Sequence, residues 1–342
     1  MTSTRPRRFV AALAVAAIVV VAIVQWGLFL LRPEGGPFAV LQIFAPHLAL
    51  AGLIAVPFAL LVRPRQSGLA IGALFVVVGL RFGGEWISFP PPPPPAGAIP
   101  LTVVTWNLEI ESRPGADTAA MLRDRPADIV AVQELQSDAA AAIEADPVLT
   151  ARYPYRALVA RDDVGGMGIL SRVPILESTF QLDPIIQQAT IDLGGGRHLA
   201  LVNAHPFHAE IASLGRTRLP VGIDPARRND DLAAVRGRID GLIGQGLPVV
   251  MLGDLNTAAS EPAFDRFTAG LRDEHREVGF GPGWTWRPIR FEFLGIGLIA
   301  IDHIVVSPDV VPLSIDGECP TVGDHCLIEA TVAVPSRPAA DD

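Results

Sequence analysis

The chain has 342 residues, 50% of them hydrophobic, with 27 basic and 36 acidic residues and a formal net charge of −9. Every basic residue is arginine. Seven stand in the first 100 residues beside two acids, Glu34 and Glu85, which leaves 20 bases against 34 acids, a balance of −14, for the rest. So acidic a region is a poor general binder of phosphate backbones, which needs basic patches. It points to a small or lipid-borne substrate, or to metal ions that supply the positive charge.

Arg5, Arg7 and Arg8 precede an almost unbroken apolar run over residues 9–31. About 20 such residues cross a bilayer core. A cleaved signal peptide does not fit, because its apolar part is shorter and ends in small residues, and because further apolar runs follow at 38–62 and 68–89. Arg81 and Glu85 in the third run must sit near an interface and snorkel; the alternative for that run is an interfacial or re-entrant segment. Arg63 and Arg65 match the N-terminal arginines, which places both groups on the cytoplasmic side. Residues 1–89 therefore read as a membrane domain of three transmembrane helices, with everything after residue 90 extracytoplasmic. If the third run does not cross, the rest is cytoplasmic. Residues 90–95 are six consecutive prolines, a stiff polyproline spacer of roughly 3 Å per residue, within a linker over 90–100.

Beyond the linker, residues 101–105 read as a strand, 116–123 as a short helix, 128–132 as a buried strand and 137–145 as an alanine-rich helix. Residues 165–171, 178–182 and 186–193 read as strands. Gly194–Gly196 suits a hairpin turn with 198–203 as the returning strand. Residues 227–243 form a helix, since Leu232, Val235, Ile239 and Leu242 recur at three- and four-residue steps. A strand at 249–256, a short helix at 261–268 and strands at 299–307 and 326–334 complete the domain, followed by a disordered tail over 335–342. Strands outnumber helices and hairpin-like turns join several of them. The expected fold is α+β, with two sheets packed face to face and helices outside.

The strands share one feature: polar residues where an apolar run ends. VVTWN closes on Asn107, DIVAVQE on Glu134, LALVNAH on Asn203 and His205, and VVMLGDLN on Asp254 and Asn256. IDHIVVS opens on Asp302 and His303, and GDHCLIEATV on Asp324 and His325. Residues i and i+2 of an extended segment face the same way, which lets Asp254 and Asn256 point into one cavity. His303 then faces away from Asp302, and His208 in HPFH reads as a loop residue. Hard divalent cations take oxygen ligands, and Glu134, Asp324 and the amide oxygen of Asn107 make a donor set of that kind.

These six motifs, in this order, resemble the endonuclease/exonuclease/phosphatase (DNase-I-like) superfamily over residues 101–334. The resemblance implies a four-layered α/β-sandwich of two packed mixed sheets flanked by helices, with the active site at one end of the sheets. It implies a metal-dependent phosphohydrolase or phosphodiesterase using Mg²⁺, with Mn²⁺ as the substitute. Asn107 and Glu134 are then the main metal positions, with Asp324 close to the ion. Asp302 becomes the partner of His325, which serves as general base or contacts the scissile phosphate. Asp254 orients or deprotonates the attacking water, Asn256 holds a phosphoryl oxygen, and His205 donates to the phosphate or leaving oxygen.

The apolar N-terminal runs, the His-Pro turn and the GWTWRP segment resemble, more narrowly, the membrane-anchored branch of teicoplanin-resistance type. That branch implies the bilayer as partner and a lipid-linked phosphate ester or pyrophosphate as substrate. Residues 291–300, FEFLGIGLIA, are either a membrane-facing lip that admits such a substrate or a buried strand or loop, which their exposure decides. Trp284 and Trp286 either flank substrate or pack on the core. Cys319 and Cys326 bracket the GDH motif; outside the cytoplasm they could pair in a disulfide, and two cysteines are only half a tetrahedral zinc set. An extracytoplasmic nuclease of the same fold is the alternative, supported only by scattered arginines such as Arg216, Arg218, Arg227 and Arg228. A non-catalytic tethered module is the third reading, against which every motif position is filled. No protein partner is evident.

Overall fold

Along β1 (Ile99–Asn107), Leu101, Val103 and Thr105 point to one face of the sheet, and Val104 and Trp106 to the other, as the two-residue period of a strand requires. Both faces are apolar and both are covered. The structure is a computed structural model and describes residues 4–61, 64–88, 93–110, 113–215 and 219–336. Arg63, the first half of the proline run, Arg216, Arg218 and the chain beyond residue 336 lie outside the described residues, as do the side chains of Arg5, Arg7, Arg8 and Arg65.

The chain divides into two compact units. The larger holds two six-stranded mixed sheets. In the first, β1 pairs parallel to β2 (Ile129–Gln133) and antiparallel to β14 (Leu327–Val334). β13 (Val311–Glu318) flanks β14 on one side, while β4 (Met167–Ser171) and β3 (Tyr155–Val159) extend the other. In the second sheet, β10 (Val249–Asp254) pairs parallel to β7 (His198–Ala204) and antiparallel to β12 (Asp302–Val306). β11 (Arg272–Asp273) lies beyond β12, and β6 (Ile185–Asp192) and β5 (Ile175–Leu182) lie beyond β7.

The inward faces meet through Leu101, Val103, Ile129, Ala131, Leu199, Leu201, Val250, Leu252 and Ile304. Helices α5 (Gly115–Arg123), α6 (Ser137–Ala145) and α7 (Pro147–Arg152) cover the outer face of the first sheet on Val104, Trp106, Val130 and Val132. Helices α8 (Ala226–Gly244) and α9 (Pro262–Thr268) cover the second on Ala200, Val202, Val249 and Met251. Leu232, Val235, Ile239 and Leu242 are the buried stripe of α8, as their spacing predicts. The result is the expected four-layered sandwich. Each buried aliphatic residue of these layers is worth about 2–5 kcal/mol against alanine.

The smaller unit comprises residues 1–87, the hairpin Glu210–Asp224 and Ser260–Pro262. Two of its helices are long and apolar enough to cross a membrane, Phe9–Leu31 within α1 (Thr4–Leu31) and Ser67–Trp86 within α4 (Pro64–Trp86). The second apolar run, expected as one span over 38–62, forms two helices, α2 (Gly36–Ile43) and α3 (Ala45–Leu60), bent by 58°, which make a third span only as a broken pair. Pro46 explains the break, since it has no N–H to give the carbonyl of Gln42. Small residues, among them Ala14, Ala22, Ala45 and Ala49, are buried between the helices, while Phe9, Leu13, Ile23, Leu69 and Phe75 point outward. Arg81 does not snorkel. Its guanidinium donates to Gln25 at 2.7 Å and to Gln42 at 3.2 Å, linking three helices.

Candidate active site at the polar end of the sheets

On the inward faces, the apolar stripe turns polar at one end. Asn107 closes β1, Gln133 closes β2, Asn203 is the penultimate residue of β7, Asp254 closes β10 and Asp302 opens β12. Parallel and antiparallel strands thus bring chain ends of opposite direction to the same place. The lowest layer is structural. Gln133 Nε2 donates to Thr105 Oγ1 at 3.1 Å and to Asn203 Oδ1 at 2.7 Å, and Asn203 Nδ2 donates to the carbonyl of Val132 at 3.0 Å. Buried amides cost free energy unless bonded in this way.

Above this layer lie the expected site residues. The amide nitrogen of Asn107 donates to Glu134 Oε1 at 3.0 Å and to Asp254 Oδ2 at 3.1 Å. Its oxygen accepts from the N–H of Glu109 at 2.9 Å, so it is the amide nitrogen that faces the two carboxylates. Glu134 stands at φ 55° just past β2, and its second oxygen accepts from the N–H of Ile110 at 3.0 Å. The strand reasoning that sends Asn256 into the cavity with Asp254 stops short, because β10 ends at Asp254. Asp254 Oδ1 accepts from the N–H of Asn256 at 2.7 Å, which turns the chain and sets Asn256 at φ 48°. Asn256 Nδ2 then donates to the carbonyl of Pro206 at 3.0 Å, tying the His205 loop to the end of β10.

His325 sits on Asp302. Its Nδ1 lies 3.0 Å from both carboxylate oxygens, while Nε2 faces Asp254 at 3.6 Å and Asp324 at 3.7 Å. Burial opposes the charged ring, but the carboxylates of Asp302, Asp254 and Asp324 prevail and lift its pKa to about 10. Asp254 is raised to about 6 by burial and by the charge of Asp302. Burial also raises Asp324. His205 closes the other side: its Nδ1 donates to the carbonyl of Val164 at 3.1 Å, which turns Nε2 toward Glu134 at 3.6 Å and Asp254 at 3.7 Å.

Of three neighbours of the site, Glu109 and Arg287 were not legible in the motifs, and Trp286 was left between flanking substrate and packing on the core. Trp286 donates its indole N–H to Asp324 Oδ2 at 2.8 Å, whereas Trp284 packs on the core between the second sheet and its helices. Glu109 accepts from the N–H of Asp324 at 3.0 Å and is raised to about 7, chiefly by burial and then by Asp324. The buried guanidinium of Arg287 donates to the carbonyl of Gly323 at 3.0 Å. Cys319 and Cys326 are joined in a disulfide that encloses Asp324 and His325. His303 faces outward, as its place on the strand requires, stacking on Phe264 and bonding the carbonyl of Thr257. His208 is exposed and bonds its own neighbour, Ala209.

The donors fit a hard divalent cation. Asp324 Oδ1 is buried, has no hydrogen-bond partner, and lies in a cup of carboxylates. Ligand atoms of Asp254, Asp302 and His325 fall within 4.8 Å of one another, but Asp302 already holds the His325 ring with both oxygens. An ion there would compete with that bond. Asp324 Oδ1 has no hydrogen bond, and each Glu134 oxygen accepts only one, from Asn107 and from Ile110, so these two carboxylates can still receive a cation, with the Asn107 amide beside them.

A profile of the endonuclease/exonuclease/phosphatase family matches residues 104–325. No curated protein matches the chain. Among solved structures, an endonuclease/exonuclease/phosphatase family protein from Bacteroides thetaiotaomicron matches with a TM-score of 0.53 at 17% identity, over 70% of this chain and 99% of the other. A mannosyl-6-phosphatase from the same organism gives 0.52 at 19%, over 68% and 99%. A 3′ phosphatase from Neisseria, solved with a product DNA hairpin, gives 0.52 at 21%, over 67% and 98%. At such identities the likeness is one of fold.

Proposed function

This chain belongs to the endonuclease/exonuclease/phosphatase family, and on that premise we propose that it is a membrane-anchored, Mg²⁺-dependent phosphoesterase. It hydrolyses a phosphate ester or pyrophosphate carried on a lipid, by in-line attack of an activated water. The observation that carries the chemistry is the His325–Asp302 pair facing Asp254 and Asp324 in one buried cup. Glu134 and Asp324, beside Asn107, would hold Mg²⁺, which when bound would supply positive charge to offset that building on the phosphoryl oxygens.

The protein groups divide the proton work. His325, its Nδ1 held by Asp302, turns Nε2 toward Asp254 and Asp324 and acts as a donor to a phosphoryl oxygen through that atom. Asp254, raised to about 6, sits near the operating pH and takes the proton of the attacking water. Asp302 fixes the tautomer of His325 and balances its charge. His205 presents Nε2 to the same cavity, between Glu134 and Asp254, the place from which it serves the leaving oxygen. Asn256 acts by holding the His205 loop through Pro206.

Three features favour a lipid-borne substrate over nucleic acid. The domain is acidic. Of the four arginines that would serve a nucleic-acid groove, Arg228 is buried and bonds the carbonyl of Asn256, and Arg227 stacks on Phe207. Third, Ile289, Phe293, Leu294 and Ile296 are exposed in and beside the 3₁₀ segment Ile289–Leu294. Glu292 of that segment accepts from the N–H of Gly323, next to Asp324. An exposed apolar lip so close to the cup suits hydrocarbon. The Cys319–Cys326 disulfide favours an oxidising compartment, and so the multi-pass, extracytoplasmic orientation in the cell membrane.

The test uses the full chain in detergent with Mg²⁺ or Mn²⁺, beside His325→Ala and Glu134→Ala. Polyprenyl pyrophosphate and supercoiled plasmid are offered in parallel. Release of phosphate that both substitutions abolish is the expected result. Plasmid nicking without phosphate release would instead establish a nuclease.

A further inference from the structure

Between the His205 loop and α8 the chain makes a hairpin, β8 (Glu210–Ser213) and β9 (Pro220–Asp224), that joins neither large sheet. Ile211 pairs with Ile223 and Ala212 with Gly222, and the N–H of Leu214 bonds the carbonyl of Leu219 at 2.9 Å. A lone two-stranded hairpin is marginal in water and needs another surface. This one groups with the apolar helices. A Cβ built on Gly222 would lie 3.7 Å from the backbone of Gly36, where α2 begins.

The place of Gly36 is informative. It follows by five residues the end of the 23-residue apolar stretch Phe9–Leu31, whose helical length of about 35 Å matches a bilayer core with little to spare. Gly36 therefore marks the level at which that helix leaves the hydrocarbon, and the hairpin packed on it lies at the same level. There the hairpin presents large apolar side chains outward: Ile211 is 58% exposed, Leu214 59%, Leu219 54% and Val221 42%. Four such residues on a 15-residue hairpin form a liability in water. At the boundary between headgroups and acyl chains the same side chains are buried.

We propose that β8 and β9 of this hairpin form a second, non-spanning membrane contact, with Ile211, Leu214, Leu219 and Val221 seated among the acyl chains just below the phospholipid headgroups. The proposal rests on the membrane anchoring inferred above, but not on the reaction. It places an interfacial anchor in the stretch of chain between His205 and the helix that carries Arg228.

The two native cysteines are paired, so an introduced cysteine is the sole thiol. Leu214→Cys and, separately, Leu219→Cys are labelled with an environment-sensitive fluorophore in the full chain, reconstituted one copy per phosphatidylcholine nanodisc. Ser178→Cys, exposed on β5, is the control. Co-elution of protein with lipid tests the anchoring. Lipids carrying a doxyl quencher high on the acyl chain should then remove at least about half of the emission at 214 and 219, the depth expected of an interfacial element, and leave 178 unchanged. Quenching at 214 and 219 no greater than at 178 overturns the proposal, and a blue-shifted but unquenched label identifies protein as the covering surface instead. Failure to co-elute overturns the anchoring, and the hairpin's role with it.

Discussion

Trp286 and Asp324 are joined by one hydrogen bond of 2.8 Å, from the indole N–H to Oδ2, and that bond leaves Oδ1 of the same carboxylate buried without a partner beside His325. The tryptophan thus aims the aspartate. Partners that orient a metal ligand are typically worth 10–100-fold in metal affinity. Trp286→Phe keeps the packing and removes the donor. We expect the Mg²⁺ concentration for half-maximal activity to rise by about 10-fold or more, with kcat at saturating metal little changed. An unshifted metal titration would assign Trp286 a packing role only.

His325 predicts a pH dependence of stability. Its folded pKa is about 10 against 6.5 for the free side chain, so the folded protein holds an extra proton between those values. The stabilisation is complete below about pH 6.5 and is lost as pH rises through 10. Asp254, raised from 3.8 to about 6, gives the same sign in a lower window: stability falls as pH rises from about 4 to 6. Melting in EDTA should therefore show Tm declining from neutrality toward pH 10, by an amount corresponding to a few kcal/mol. His325→Gln should remove most of that slope; an equal slope in the variant would refute the assignment.

Gly253 lies against the neighbouring strand. A Cβ there would sit 2.0 Å from the carbonyl oxygen of Ala204, and the backbone has φ 145°. Gly253→Ala should cost about 2–4 kcal/mol and, since it parts β10 from β7, also reduce kcat. A melt unchanged from wild type would show that the strands yield more easily than these distances allow.

The apolar lip should separate substrate classes. Phe293→Ser with Leu294→Ser should lower kcat/KM for a micellar polyprenyl pyrophosphate by about 10-fold, the scale of removing a modest apolar area from the enzyme–lipid contact. Hydrolysis of a short water-soluble phosphate ester should be unaffected. Equal losses on both substrates would place the lip in the fold rather than in recognition.

Much of the sandwich was legible because its strands obey a period of two and end abruptly in polar residues, as VVTWN and VVMLGD do. β3 was missed because Tyr155 and Arg156 are exposed and break that signal. The hairpin at 210–224 was missed for the opposite reason: its apolar residues do not pack in the core, so no burial pattern marks it. The break at Pro46 was legible in principle, but unbroken hydropathy masks a bend. In the candidate site, Asn107 and Asp254 follow from position at the end of a strand and Glu134 from its place just past one, while Asp324 stands in the bend before β14. The Trp286–Asp324 bond spans 38 residues, and only the folded chain reveals it. The direction of the Asn107 amide likewise depends on Glu109, two residues on, whose backbone takes the oxygen.

The close approach of Gly253 to Ala204 also governs what in this site can move. Asn107, Glu134, His205 and Asp254 hang from the ends of strands locked in register, and such strands shift only on slow collective timescales. Asp324 and His325 stand on a different footing, in the bend before β14, where backbone bonds from Arg287 to Asp324 and from Cys326 to Thr285, the indole of Trp286 and one disulfide replace a strand ladder. The cup therefore has a floor built by sheet register and a wall built by side chains and a covalent bond, and a substitution at Trp286 or Cys319 should alter the wall while leaving the strand ends in place.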